Sequence, residues 1–182
     1  MKKNKDPFKN KSVHINERLL SYLKETILEG SLLDLGCGPK SYSNPFIGIC
    51  NKILTIDAWD KTSPNIIADL EKTRIVDIIP NEKFDYILMI DFIEHLDKSA
   101  GKQLLEDCKL ICNKKIFVFT PLEEIWDDNH KNVNDPSLWC YGNQYDLHKS
   151  IWSPLDFQDW VPIKLKSGKG IHNYYIGYYE KT

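Results

Sequence analysis

The segment Asp34-Leu35-Gly36-Cys37-Gly38 sets a carboxylate two residues ahead of a pair of glycines. Neither glycine carries a Cβ, so the chain can turn tightly there and bring bare backbone up to a ligand. The run before it, Ser31 to Leu35, is short and apolar, as in a strand buried on both faces of a parallel sheet. In open α/β sheets a glycine-rich first βα turn marks where a ligand sits, so a nucleotide-like molecule is expected here. A G-x-G-x-x-G turn would open a long helix onto a pyrophosphate. In this chain Ser41 stands where the third glycine belongs, and Pro45 leaves little room for a long helix. Asp34 would also repel phosphates and suits a ligand bearing an ammonium group. Asp57 follows the loop by about twenty residues, the distance at which a strand-end acid meets a ribose diol and accepts from both hydroxyls.

A second group of titratable side chains lies in Asp91-Phe92-Ile93-Glu94-His95. A helical reading puts Asp91, Glu94 and His95 on one face through i, i+3, i+4 spacing. With His148 the set has two imidazoles and two carboxylates, suited to an octahedral Mg, Mn or Fe ion with waters. The same histidines are candidates for a general base, because imidazole titrates nearest working pH. The bland alternative is that Glu94 and His95 cap and orient the helix that follows.

Several elements must position these residues. Val13 to Leu28 has apolar residues at helical spacing (Ile15, Leu19, Leu20, Leu23, Ile27, Leu28), and Gly30 is placed to end the helix. Strands are expected at Ser31 to Leu35, Lys52 to Ile56, Asn65 to Ala68, Phe84 to Ile90 and Lys115 to Phe119. A compact helix is expected from Glu71 to Ile79 and another from Ser99, the expected N-cap, to Cys112. The stretch 122–149 is rich in Asn, Asp, Trp and Tyr without periodicity. It carries Trp126, His130, Trp139, Tyr141 and Tyr145, and a loop this long reads as a lid over an acceptor pocket. A helix capped by Ser153 with Pro154 at its first position follows. Two strands, Trp160 to Leu165 and His172 to Tyr179, are joined by the turn Ser167-Gly168-Lys169-Gly170.

Length and composition narrow the classes. The 182 residues suit a single domain over 13–182 behind a lysine-rich tail over 1–12. A net charge of −2 gives no case for a nucleic-acid surface, and DNA is not expected as a partner. Only Arg18 and Arg74 are arginines, which argues against bidentate phosphate recognition. Five cysteines with no C-x-x-C pair imply neither a disulfide framework nor a zinc cluster. No apolar run approaches the ~18 residues of a membrane span, and no signal peptide is visible, so a cytoplasmic setting is expected.

The D-x-G-x-G order of Asp34 to Gly38 resembles the first motif of the class I, Rossmann-like S-adenosylmethionine-dependent methyltransferases. That family often has a third glycine where Lys40 stands. Ile66-Ile67-Ala68-Asp69-Leu70 is similar to the family's adenine-binding motif, and Lys83 to Leu96 to its fourth motif, which commonly ends in Glu-His. The resemblance covers roughly residues 30 to 120. It implies a doubly wound α/β fold: a mostly parallel seven-stranded sheet with an antiparallel C-terminal strand and helices on both faces. It implies S-adenosyl-L-methionine as cofactor, held by Asp34, Gly36, Cys37, Gly38, Asp57, Ala58, Asp69, Leu70 and Asp91. His95, His148 and Asp91 become the expected catalytic residues for O-methylation of a small-molecule or glycan-type acceptor. The continuation Pro39-Lys40-Ser41-Tyr42 also resembles methyltransferases found with surface-polysaccharide enzymes.

A narrower resemblance is to metal-dependent enzymes that methylate a 2′-hydroxyl at an RNA 3′ end. It rests on Asp91 to His95 and on His148 ahead of Trp152, and would make Glu94, His95 and His148 metal ligands. Asp91 stands where those enzymes have Glu. A dehydrogenase is disfavoured by the missing third glycine and by Asp34. A non-catalytic protein keeping the donor fold is the remaining alternative.

Overall fold

The computed structural model describes residues 13–39, 41–122, 133–134, 141–165 and 174–182. The tail over 1–12, Lys40, the aromatic and histidine positions Trp126, His130 and Trp139, and the turn at 167–170 lie outside the described residues. Seven strands form one sheet: β1 (Ser31–Leu35), β2 (Lys52–Asp57), β3 (Ile66–Ile67), β4 (Phe84–Ile90), β5 (Cys112–Pro121), β6 (Val161–Pro162) and β7 (Tyr174–Glu180). Their order is β3-β2-β1-β4-β5-β7-β6. The first five pair in parallel, and β7 runs antiparallel between β5 and β6, so six strands share one direction. The order reverses between β1 and β4, which leaves a crevice outside their carboxyl ends.

Period-two alternation sends successive side chains of each strand to opposite faces, and both faces are covered. On one face Leu32, Leu88, Phe117 and Phe119 meet Leu19, Leu23 and Ile27, from or just beyond α1 (Val13–Thr26). On the other, Leu33, Leu35, Ile87, Met89, Ile116 and Val118 pack against α2 (Ile75–Ile78), α3 (Lys98–Ile111) and the aromatic pair Trp152 and Phe157. This double burial is why β4 reads as an almost unbroken apolar run. Among the described residues no helix is long and apolar enough to cross a membrane.

Several elements differ from expectation for local reasons. α1 stops at Thr26, and Gly30 (φ +105°) serves the turn into β1 instead. A Cβ there would fall 2.5 Å from Asp85 Oδ2, which accepts from the Ser31 N–H at 2.9 Å and ties β1 to β4. The helix expected from Glu71 shrinks to the four residues of α2. Its first half is a turn in which the Asp69 carbonyl accepts from the N–H groups of Lys72 and Thr73, while the Asp69 side chain accepts from Glu71. α3 starts after Asp97 rather than Ser99, and Cys112 opens β5 rather than lying on the helix. The element after Ser153 is a 3₁₀ turn, Pro154–Phe157, closed by a capping box with Asp156.

Candidate functional site

A cavity opens outside the carboxyl ends of the central strands, against Gly36, Gly38, Asp57, Asp69, Asp91 and His95. Gly36 has φ +65°, and a Cβ would fall 2.0 Å from Phe92 Cδ2. Only glycine allows both that left-handed backbone and the ring lying against the turn. Gly38 (φ +57°) has nothing within 4 Å of where a Cβ would stand, so its backbone is bare at the cavity wall. Its N–H donates to Asp57 Oδ2 at 2.9 Å, and the Trp59 N–H donates to Oδ1 at 2.8 Å. The Asp57 carboxylate is thereby fixed in place. Burial pushes it above the usual carboxylate range, opposed by those two bonds. Ala58 and Leu70 also line the cavity.

Asp34 and Cys37 do not. Asp34 is 2 % exposed, and its Oδ2 accepts from Ser41 Oγ (2.6 Å) and Ser43 N–H (3.1 Å). Its carboxylate is spent on pinning down the loop after the glycines, because Ser41 and Ser43 fold back within its reach. Asp34 thus stands behind the loop rather than on the cavity wall. Cys37 is buried, and burial pushes its thiol up to about 12.

The expected helical face over Asp91, Glu94 and His95 does not form. Asp91 has φ +49°, a conformation that Asp tolerates better than most residues, and Ile93–His95 is a 3₁₀ turn. Asp91 therefore stays at the open cavity wall while Glu94 turns inward, 1 % exposed. Glu94 Oε2 accepts from Thr120 Oγ1 at 2.9 Å, and Oε1 stands 4.0 Å from His95 Nε2. His148 comes in beside them, its ring 4.9 Å from that of His95 and inclined at 63°. Glu94, His95 and His148 each offer a ligand atom, all within 4.8 Å of one another, and Asp91 does not join them.

A set of backbone bonds holds His148 there. The N–H groups of Lys149 and Ser150 donate to the Glu94 carbonyl at 2.8 and 3.1 Å. Ser150 Oγ donates to the Ile93 carbonyl (3.2 Å) and accepts from Trp152 Nε1 (2.9 Å). Trp152 is fully buried over Gly101, where a Cβ would come within 2.6 Å of its ring. The later histidine is thus fastened to the turn carrying the earlier one.

Among the residues at the site not picked out from sequence are Phe92, Asn143, Asp146 and Lys149. Asn143 accepts from the Tyr145 N–H at 3.1 Å and caps the 3₁₀ turn Gln144–Asp146. That N-cap pattern was the one readable signal among them. Lys149 pairs with Glu71 across the opening. With Asp57, Asp69, Asp91 and Asp146 on its walls, the cavity is markedly acidic.

No protein-family model matches the sequence, and no curated protein matches it. Solved structures do match in shape. N-methyltransferase NodS from Bradyrhizobium japonicum WM9 in complex with S-adenosyl-l-homocysteine superposes with a TM-score of 0.63 at 10% identity, over 98% of this chain and 93% of that one. Magnesium protoporphyrin IX methyltransferase (ChlM) from Synechocystis PCC 6803 with bound SAH gives 0.58 at 11% identity, over 93% and 83%. The 1,6-didemethyltoxoflavin-N1-methyltransferase of Burkholderia thailandensis gives 0.59 at 11%, over 92% and 78%. The shared property at these identities is the fold: a seven-stranded Rossmann-like methyltransferase sheet.

Proposed function

We propose that this chain, folded as the Rossmann-like methyltransferases are, transfers a methyl group from S-adenosylmethionine to an oxygen of a small-molecule or glycan-type acceptor. The observation that carries the reading is the cavity at the switch point, walled by the bare turn Gly36–Gly38 on one side and the fixed Asp57 carboxylate on the other. Ligands of such sheets bind there. The acidic walls favour a ligand with a sulfonium and an ammonium over one with a pyrophosphate. Asp57 would accept from the ribose hydroxyls, and Asp69 would take the adenine end. Asp34 would act indirectly by holding the loop.

Transfer from a sulfonium releases a neutral thioether, so the protein's main contribution is to line up the nucleophile with the methyl group. A hydroxyl acceptor must also lose its proton, a step worth ~10²–10⁴ in rate. His95, which lines the cavity with the His148 ring beside it, would receive that proton. The same acidic walls disfavour an RNA end, whose phosphates they would repel. Calorimetric titration with S-adenosylhomocysteine tests the donor assignment. Binding should occur, and Asp57→Ala should weaken it about tenfold or more through loss of charge-assisted hydrogen bonds. An unchanged affinity in that variant removes the ribose role.

A further inference from the structure

Among the described residues, Lys149 is the only lysine or arginine lining the cavity, and its ammonium is committed to Glu71. The two side chains come from opposite walls. Glu71 follows Asp69 and Leu70 on the donor side, and Lys149 closes the stretch that begins at Asn143. Lys149 Nζ stands 2.5 Å from Glu71 Oε2, although 78 residues separate the two in sequence. Both ends of this bridge are rooted. The Glu71 N–H donates to Asp69 Oδ1 at 3.0 Å, and Asp69 Oδ2 pairs with Lys72 at 2.7 Å. The Lys149 N–H donates to the Glu94 carbonyl at 2.8 Å, on the turn that carries His95. A continuous line of bonds thus runs from the Asp69 turn, over the opening, to the turn of the proposed proton acceptor.

The pair contributes little to folding. Its side chains remain 32 % and 21 % exposed, where solvent screens the charges and ordering two long side chains offsets most of the gain. What distinguishes it is its position. A ligand filling the cavity would displace water from the inner side of the pair and strengthen its attraction.

We propose that Lys149 and Glu71 are a positioning pair that ties the stretch Asn143 to Lys149 over the bound donor and slows its release. The inference rests on the methyltransferase reading, in which Asp69 takes the adenine end. The tie acts through the stretch it fastens, which brings Tyr145 and Asp146 to the cavity, and not on the reacting atoms. It accounts for the presence of one lysine in a wall otherwise set with carboxylates.

The test follows release of tritiated S-adenosylhomocysteine from the full-length chain, chased with unlabelled ligand. Lys149→Met, which keeps the apolar stem, and Glu71→Gln, which keeps the shape, should each speed release about threefold or more. The two substitutions shift the cavity's charge in opposite directions. A field effect alone would move the rates apart, whereas a broken tie moves them together. The two combined should speed release no more than either alone. The reversed pair, Lys149→Glu with Glu71→Lys, should return the rate to within about twofold of wild type. Urea midpoints should match wild type, and midpoints that fall in step with faster release would assign the pair a purely structural role and overturn the proposal. Unchanged release in both variants, opposite effects, or effects that multiply also overturn it. A wild-type chain that binds no S-adenosylhomocysteine removes the methyltransferase reading instead, and amide exchange without ligand then decides on the tie. Both variants should quicken exchange over Asn143 to Lys149, and unchanged exchange overturns the tie.

Discussion

Gly36 shows how one side chain's absence organises the site. Its positive φ and the Phe92 ring at its missing Cβ leave no room for even a methyl group. Gly36→Ala should therefore cost roughly 1–3 kcal/mol in urea unfolding, from backbone strain together with overpacking against the ring. It should also weaken S-adenosylhomocysteine binding, because the turn can relax only by moving the Gly38 N–H off Asp57. A variant of wild-type stability and affinity would mean that Phe92 moves aside without consequence. At this scale much was legible. A glycine pair and a strand-end acid announce themselves in sequence, and both lie at the cavity. The partners of Asp34 were not legible, because the two serines bonded to it sit seven and nine residues later. Pairings of that kind depend on how a loop closes, which no periodicity records.

Between elements, the junction of α2 with α3 rests on an ion pair. Arg74, just before α2, donates from Nε (3.0 Å) and Nη2 (2.5 Å) to the two oxygens of Asp107 on α3, which also accepts from Gln103. Burial alone would raise the Asp107 carboxyl, but the bonds from Arg74 and Gln103 outweigh it and hold the group below its ordinary 3.8. A depressed carboxyl contributes stability above its unfolded value and loses it as pH falls towards the native one. Asp107→Asn should therefore be less stable than wild type by about 1–2 kcal/mol at neutral pH. The gap should close as the pH is taken below about 3.8. Chemical denaturation at several pH values measures both; a gap independent of pH would assign the stability to packing. The short helices were the least legible elements. α2 gives up its first half to a turn held by bonds to Asp69, and Ile93–His95, entered from Asp91 at positive φ, stays a 3₁₀ turn.

Across the whole molecule the sheet was the most legible feature, since long apolar runs at β4 and β5 leave little freedom for anything but buried parallel strands. Strand order was anticipated through resemblance, and the short edge strands β3 and β6 lost residues relative to expectation because only a few of their groups find partners. A ligand held between both halves of such a sheet should stabilise all of it. At a hundredfold excess over Kd, S-adenosylhomocysteine should add about 2.7 kcal/mol. At 2–4 °C per kcal/mol for a chain of this size, the Tm should rise by roughly 5–10 °C. An unmoved transition at saturating ligand would contradict the donor site. Among the described residues the cavity walls come from two stretches of chain, one ending at Leu96 and one beginning at Asn143, with α3 and β5 between them. On the proposed reading the earlier stretch would hold the donor and the later one would face the acceptor. Under that reading, substitutions confined to the later stretch, the tie at Lys149 aside, would alter the choice of acceptor before they altered the donor.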